Sequence, residues 1–198
     1  MNSLKSFYLS WRRRILSYKV KKSLDLSDIS LISMNCIGGI VYHDCKQRFL
    51  SPTVNLYFTP DDFLKFINNL NFYLSKTPKI VMGKNYPIGE LDDIKINFMH
   101  YSTPDEALSK WEERKSRINK EKIFVIMVER DGFTKKNFED FNRINYPKLL
   151  FTKTKEYKCE DSLYMSRYKK LEQLPDIIPG RYMYSKMKLI DSINKAYK

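Results

Sequence analysis

The chain has 198 residues, 42% of them hydrophobic and 30% charged, with a net charge of +13. That balance suits a globular chain with a full core and excludes a collagen-like fibre, a disordered tail and a polytopic membrane protein. Its three cysteines (Cys36, Cys45, Cys159) lack Cys-x-x-Cys spacing and its two histidines are His43 and His100. This argues against a disulfide scaffold or structural zinc, excludes any centre with three imidazole ligands, and makes a reducing cytoplasm the expected home.

Residues 1–24 hold seven basic side chains (Lys5, Arg12, Arg13, Arg14, Lys19, Lys21, Lys22) and no acid. Leu4, Phe7, Tyr8, Trp11, Ile15 and Leu16 recur at helical steps, which predicts a basic amphipathic helix. Three readings fit it: the helix lies among the headgroups of an anionic membrane, docks on a partner such as a membrane synthase, or packs Phe7 and Trp11 onto its own domain. The arginine triplet interrupts any apolar run, so a signal peptide is not expected, and no stretch is long and apolar enough to span a bilayer.

Residues 29–34 and 53–58 are rich in β-branched or aromatic side chains and read as strands. The second runs into Thr59-Pro60-Asp61-Asp62, a helix start with a hydroxyl cap, a proline at the first helical position and acids at the positive end of the dipole. Phe63, Phe66, Ile67, Leu70 and Leu74 give its buried stripe. Residues 80–82 are expected as a short extra strand, and 85–89 as a turn or a loop over a site. Residues 94–99 alternate as a strand, and Thr103-Pro104-Asp105-Glu106 opens a helix with capping-box spacing. On that helix Trp111 is expected in the core, with Glu112, Glu113 and Arg114 on a solvated face. The continuous apolar run 123–128 predicts a central strand, followed by a polar turn at 129–132, a helix capped by Thr134 and a strand at 149–152. Beyond it, 164–174 reads as a helix, 175–180 as a break and 182–196 as a basic terminal helix.

Strands alternating with helices predict a single-domain α/β fold with a mostly parallel sheet and helical segments at both ends. The divisions expected are a basic helix at 1–24, an α/β core at 25–152 and a basic helical segment packed on the core at 153–198. The middle stretch has eighteen basic and seventeen acidic residues, whereas the last has eleven against six. Because the core is nearly neutral and carries no recognition motif, nucleic acid is not an expected partner.

In open α/β sheets ligands sit beyond the carboxyl ends of the strands. The polar residues expected there are Asn35, Gly38 and Gly39, followed by His43, after the first strand, His100 after the third, and Arg130 and Asp131 after the fourth. A strand followed by two glycines can present backbone N–H groups to a phosphate, although most such turns are simply tight turns. Asp131 follows the most buried strand and precedes Gly132; it reads equally as a site carboxylate or as a plain Asp-Gly turn.

Asn35-Cys36-Ile37-Gly38-Gly39 with Tyr42-His43, Ser51-Pro52-Thr53-Val54-Asn55-Leu56, Pro60-Asp61-Asp62-Phe63, Tyr86-Pro87-Ile88-Gly89, Phe98-Met99-His100-Tyr101, Trp111-Glu112-Glu113-Arg114 and Phe124-Val125-Ile126-Met127 through Asp131-Gly132 carry a resemblance. Over residues 33–152 the chain resembles a bacterial family of unknown molecular function found among exopolysaccharide and capsule biosynthesis proteins. The resemblance implies a role in surface polysaccharide assembly and supplies no catalytic residues.

The acidic pairs Asp61-Asp62 and Asp92-Asp93 are adjacent and do not form the Asp-x-Asp of metal-dependent glycosyl transfer, so neither a metal nor another cofactor is expected. A metal-independent transfer needs cations for the diphosphate, for which Arg130, Lys153 and the glycine turn are candidates. His100 and Asp105 have the spacing of one acyltransferase class, but a helix start also explains Asp105. Cys36 is either a nucleophile served by a histidine or a buried, inert thiol. The expectation is therefore a glycosyltransferase-like protein of polysaccharide biosynthesis, cytoplasmic and peripheral on the inner membrane face, taking a sugar or nucleotide-sugar. His100 and Asp131 are the expected catalytic residues, and Asn35, Gly38, Gly39, His43 and Arg130 the expected binding residues. The alternatives are a noncatalytic nucleotide-sugar-binding or assembly module and a polysaccharide acyltransferase.

Overall fold

In the computed structural model, which describes residues 2–176 and 179–197, the apolar run Ile123–Val128 is buried at every position. It lies inside a four-stranded, wholly parallel sheet made of β1 (Ser30–Ser33), β5 (Ile123–Val128), β6 (Lys148–Thr152) and β7 (Ser162–Tyr164), in the order β1-β5-β6-β7. Such strands need cover on both faces, and alternation of side chains along them divides the core in two. Leu31, Phe124, Ile126, Val128, Leu149 and Phe151 point to one face, where α1 (Asn2–Ser23), α2 (Ile37–Cys45) and α7 (Lys188–Tyr197) pack. Ile32, Ile123, Val125, Met127 and Leu150 point to the other, covered by α3 (Pro60–Asn68), α4 (Leu70–Leu74), α5 (Pro104–Lys115) and α6 (Lys135–Asn142). The chain is thus a single α/β domain with helices near both ends.

The helix starts follow the chemistry of their residues. Thr59 Oγ1 accepts the Asp62 N–H at 3.3 Å with Pro60 at the first helical position, and Thr103 Oγ1 accepts the Glu106 N–H at 3.2 Å. Thr134 and Asn137 complete a reciprocal capping box at the start of α6. Trp111 is buried as expected. Arg114 is not on a solvated face: it is buried and its Nη1 donates to the Val54 carbonyl at 2.9 Å.

Several expected elements take another form. Residues 94–99 do not join the parallel sheet, because β2 (Lys79–Met82), β3 (Pro87–Leu91) and β4 (Ile94–Asn97) form a separate antiparallel sheet in the order β2-β3-β4. The alternation along β4, with Ile94 and Ile96 buried and Lys95 exposed, is that of a strand with one solvated face. Residues 85 and 86 accordingly belong to the turn between β2 and β3, closed by the Gly83 N–H donating to the Tyr86 carbonyl at 3.0 Å, and 87–89 enter β3. Residues 53–58 form no regular strand: Asn55 adopts a left-handed φ of 65° within a bend, after which Tyr57 makes an isolated bridge with Asn97 and the Phe58 N–H donates to the Met34 carbonyl at 2.9 Å. Within 164–174 the chain makes the end of β7, a short 3-10 turn at Ser166–Tyr168 and bends, and no α-helix. The terminal α-helix begins at Lys188, after a 3-10 segment, Pro179–Met187. Part of the expected break at 175–180 lies outside the described residues.

Candidate functional site

Cys36, Gly39, Ile40 and His43 recur at three- and four-residue steps, so one face of α2 and its cap runs along the carboxyl end of β1. That face forms one wall of a cleft of about 450 Å³. Arg13 from α1, Phe49 and Asn55 from the connection after α2, His100 from beyond β4, and Arg181 from the 3-10 segment complete it. Among the described residues no carboxylate lines the cleft.

Each wall is held from behind. Arg181 Nε and Nη2 donate to the two oxygens of Asp44 at 2.6 and 3.0 Å, and the Tyr184 hydroxyl donates to the same carboxylate at 2.8 Å. Asp44 and Arg181 are both buried, and this charge-assisted fork ties α2 to the C-terminal segment. Burial first, and the Asp44 charge next, push the Tyr184 phenol well above its usual range, so it stays a donor. His43 Nδ1 lies 3.7 Å from Asp44, and its ring is exposed. The segment bearing Asn55 is fastened by Ser33 N–H donating to Thr53 Oγ1 at 2.9 Å and by two donors on the Val54 carbonyl, Arg114 and the Tyr101 hydroxyl.

The expected site residues divide between this cleft and its neighbourhood. Gly39, His43 and His100 line it. His100 arrives from the antiparallel sheet, so the delivery of loops by parallel strands does not account for its position. The expected strand-glycine turn is instead the first turn of α2. A Cβ on Gly38 would lie 2.8 Å from Ser33 Cβ, and one on Gly39 would lie 3.0 Å from Val54 Cγ1. The glycines therefore allow the helix to approach β1 and the 53–58 segment closely, and they do not form a phosphate-cradling loop. Asn35 is fully buried; its Oδ1 accepts the Ile37 N–H at 3.2 Å and its Nδ2 lies 3.4 Å from the Asp176 carbonyl.

Arg130 and Asp131 do not line the cleft but form a polar cluster beside it. Arg130 Nε donates to Asp131 Oδ2 at 2.8 Å, and its Nη1 lies 3.3 Å from Asp176. With two carboxylates on one guanidinium, the cluster has little positive charge left for a ligand. Asp131 has a left-handed φ of 56° and Gly132 follows at 84°, which is a tight turn pinned by Gln173 Oε1 accepting the Asp131 N–H at 2.8 Å. Cys36 joins the two regions: it lines the cleft, and its thiol feels Asp176 and Arg130. Burial, reinforced by Asp176 and opposed by Arg130, pushes that thiol up to about 12, so it is not a thiolate nucleophile at neutral pH. Among the described residues no cluster of three or more His, Cys, Asp or Glu is placed to hold a metal ion. Asp105 sits in the first turn of α5, where a helix start favours an acid.

Sequence reasoning missed Arg13, Asn55 and Arg181. Asn55 has a local signal, since asparagine is among the few residues that tolerate a left-handed backbone. For Arg181 there was none, because its partner Asp44 lies 137 residues away.

A parallel sheet between helical layers, with an arginine- and histidine-lined cleft beyond its edge strand, defines a three-layer α/β protein. The chain belongs to the family described as Domain of unknown function (DUF1919), which matches residues 8–196. That span takes in most of α1 and of α7 as well as residues 33–152. An uncharacterized protein of Haemophilus influenzae is 33% identical over 200 residues, covering 98% of this chain and 97% of the relative.

Proposed function

We propose that the chain is a metal-independent, glycosyltransferase-like protein of surface polysaccharide assembly, whose cleft takes the phosphates of a nucleotide-sugar. The observation that carries this reading is the cleft lining: Arg13, Arg181, His43, His100 and Asn55 are present without any carboxylate among the described residues. Such a lining matches an anionic ligand with several oxygens, and about 450 Å³ is within the range of small-molecule sites. Arg13 would balance the charge that grows on the leaving diphosphate, while Arg181, already paired with Asp44, would offer only N–H groups not engaged by that carboxylate. His100 would take the proton of an acceptor hydroxyl as that oxygen bonds to the anomeric carbon and the bond from carbon to phosphate oxygen breaks. His100 suits this role better than Asp131, whose carboxylate is engaged by Arg130 outside the cleft. The link to polysaccharide rests on the sequence resemblance.

Calorimetric titration of the full chain with a panel of nucleotide-sugars, coupled to an assay for released nucleoside diphosphate, tests the reading. Binding that Arg13→Ala weakens at least tenfold, with turnover that His100→Ala abolishes, is the expected result. Binding without turnover would leave a noncatalytic module, and no binding at millimolar ligand would refute the proposal.

A further inference from the structure

The face of α1 turned away from the protein carries an apolar stripe edged by basic residues, and nothing among the described residues covers it. Leu4 is 79% exposed, Phe7 74%, Trp11 55% and Tyr18 60%. At about 100° per residue these four fall in one stripe, whereas Leu16 and Val20, which pack on the core, fall on the opposite side. The helix is therefore apolar on two sides, and the fold uses one of them. Packing of Phe7 and Trp11 onto the chain's own domain, one of the three readings of this segment, is not what the structure shows.

Charge identifies what the second side meets. Residues 1–24 carry seven basic residues and no acid, and Arg14, Lys19, Lys21 and Lys22 are exposed. Beside the stripe runs a groove of about 510 Å³ to which Arg12, Lys19, Lys22 and Tyr18 contribute, again without a carboxylate among the described residues. A second copy of the chain on this face would set like charges against each other. Among the described residues no helix is long and apolar enough to cross a membrane. Aromatic side chains in the middle of a face with a cationic rim suit the boundary between headgroups and acyl chains.

We infer that α1 is an in-plane anchor that docks the protein on an anionic lipid bilayer, with Leu4, Phe7, Trp11 and Tyr18 entering the interface and Arg14, Lys19, Lys21 and Lys22 contacting headgroup phosphates. The inference does not depend on what the cleft binds. It places the cleft near a membrane surface, because Arg13 of the same helix forms part of the cleft wall.

The chain has two tryptophans, and their environments make the test direct: Trp11 is exposed and Trp111 is buried. Adding vesicles of phosphatidylglycerol and phosphatidylcholine to the full chain should shift tryptophan emission to shorter wavelength and carry the protein down on sedimentation. Vesicles of phosphatidylcholine alone should do neither. Lys21→Gln with Lys22→Gln should weaken partitioning roughly 25-fold, about 1 kcal/mol for each charge. Leu4→Ser with Phe7→Ser should abolish it, and circular dichroism should confirm that both variants remain folded. Unchanged emission and no sedimentation with the anionic vesicles would overturn the inference, as would equal binding to both vesicle types. Self-association lost in the Leu4→Ser, Phe7→Ser variant, without vesicle binding, would assign the face to a second copy. A soluble protein bound by that face in the absence of lipid binding would assign it to that partner.

Discussion

Replacing Asp44 by alanine removes the carboxylate that receives two bonds from Arg181 and one from Tyr184. The side chains of Asp44 and Arg181 are 2% and 9% exposed, so the guanidinium would be left charged and almost without water. Breaking a buried pair by removing one partner costs about 3–5 kcal/mol, a large part of the roughly 5–15 kcal/mol that stabilises a domain. In urea, with a slope of about 2 kcal/mol/M for a chain of this size, the unfolding midpoint should fall by about 1.5–2.5 M. Asp44→Asn, which keeps one acceptor oxygen, should cost less. The double variant Asp44→Leu, Arg181→Met removes both charges and should be more stable than the Asp44→Ala single variant. Urea unfolding followed by far-UV circular dichroism measures all three. A loss below about 1 kcal/mol in Asp44→Ala would refute the account, since a buried and unpaired guanidinium cannot be that well tolerated. So would a double variant less stable than Asp44→Ala.

Glu129, buried where β5 ends, accepts from Thr152 Oγ1 at 2.5 Å, from the Lys153 and Thr154 N–H groups at 2.8 and 2.9 Å, and from Thr154 Oγ1 at 2.5 Å. Burial alone would raise its pKa, but these hydrogen bonds outweigh it and hold the carboxyl below the usual glutamate range. A depressed native pKa stabilises the fold above the unfolded value of about 4.3 and is lost as pH falls through the native value. Stability of the natural chain should therefore drop between about pH 5 and the native pKa, and Glu129→Gln should flatten that part of the profile while costing about 1–3 kcal/mol at pH 7. An unchanged profile in Glu129→Gln would remove Glu129 as the cause. Gly38→Ala gains about 1 kcal/mol of helix propensity but forces a Cβ to 2.8 Å from Ser33 Cβ, an overpacking that costs about 1–3 kcal/mol. The melting temperature should fall by a few degrees with ligand affinity little changed; an unchanged melting temperature with lost binding would show that Gly38 serves the ligand and not the packing.

What the sequence determined by itself is local or depends on a single periodicity. Thr59 and Thr103 cap helices with a proline and acids in the first turn, and Thr134 caps with Asn137; all of these act within one turn, so the starts of α3, α5 and α6 could be read residue by residue. The uninterrupted run 123–128 implied a strand covered on both faces, and the parallel sheet follows from it. The basic, apolar character of α1 was equally legible. Tertiary structure alone decided how these pieces meet. Residues 94–99 alternate in a way that suits an antiparallel strand, yet nothing local to them says which neighbour they pair with. Gly38 and Gly39 read as a turn because their role is the room they leave for Ser33 and Val54, which packing reveals and composition does not. The exposed stripe of α1 became visible only once the opposite stripe was seen buried. The cleft depends most on the fold, because Arg13, His43, Asn55, His100 and Arg181 come from five separate segments. Arg181 reaches it through an ion pair across 137 residues, an interaction that leaves no local pattern because its partners are neighbours only after the chain has folded.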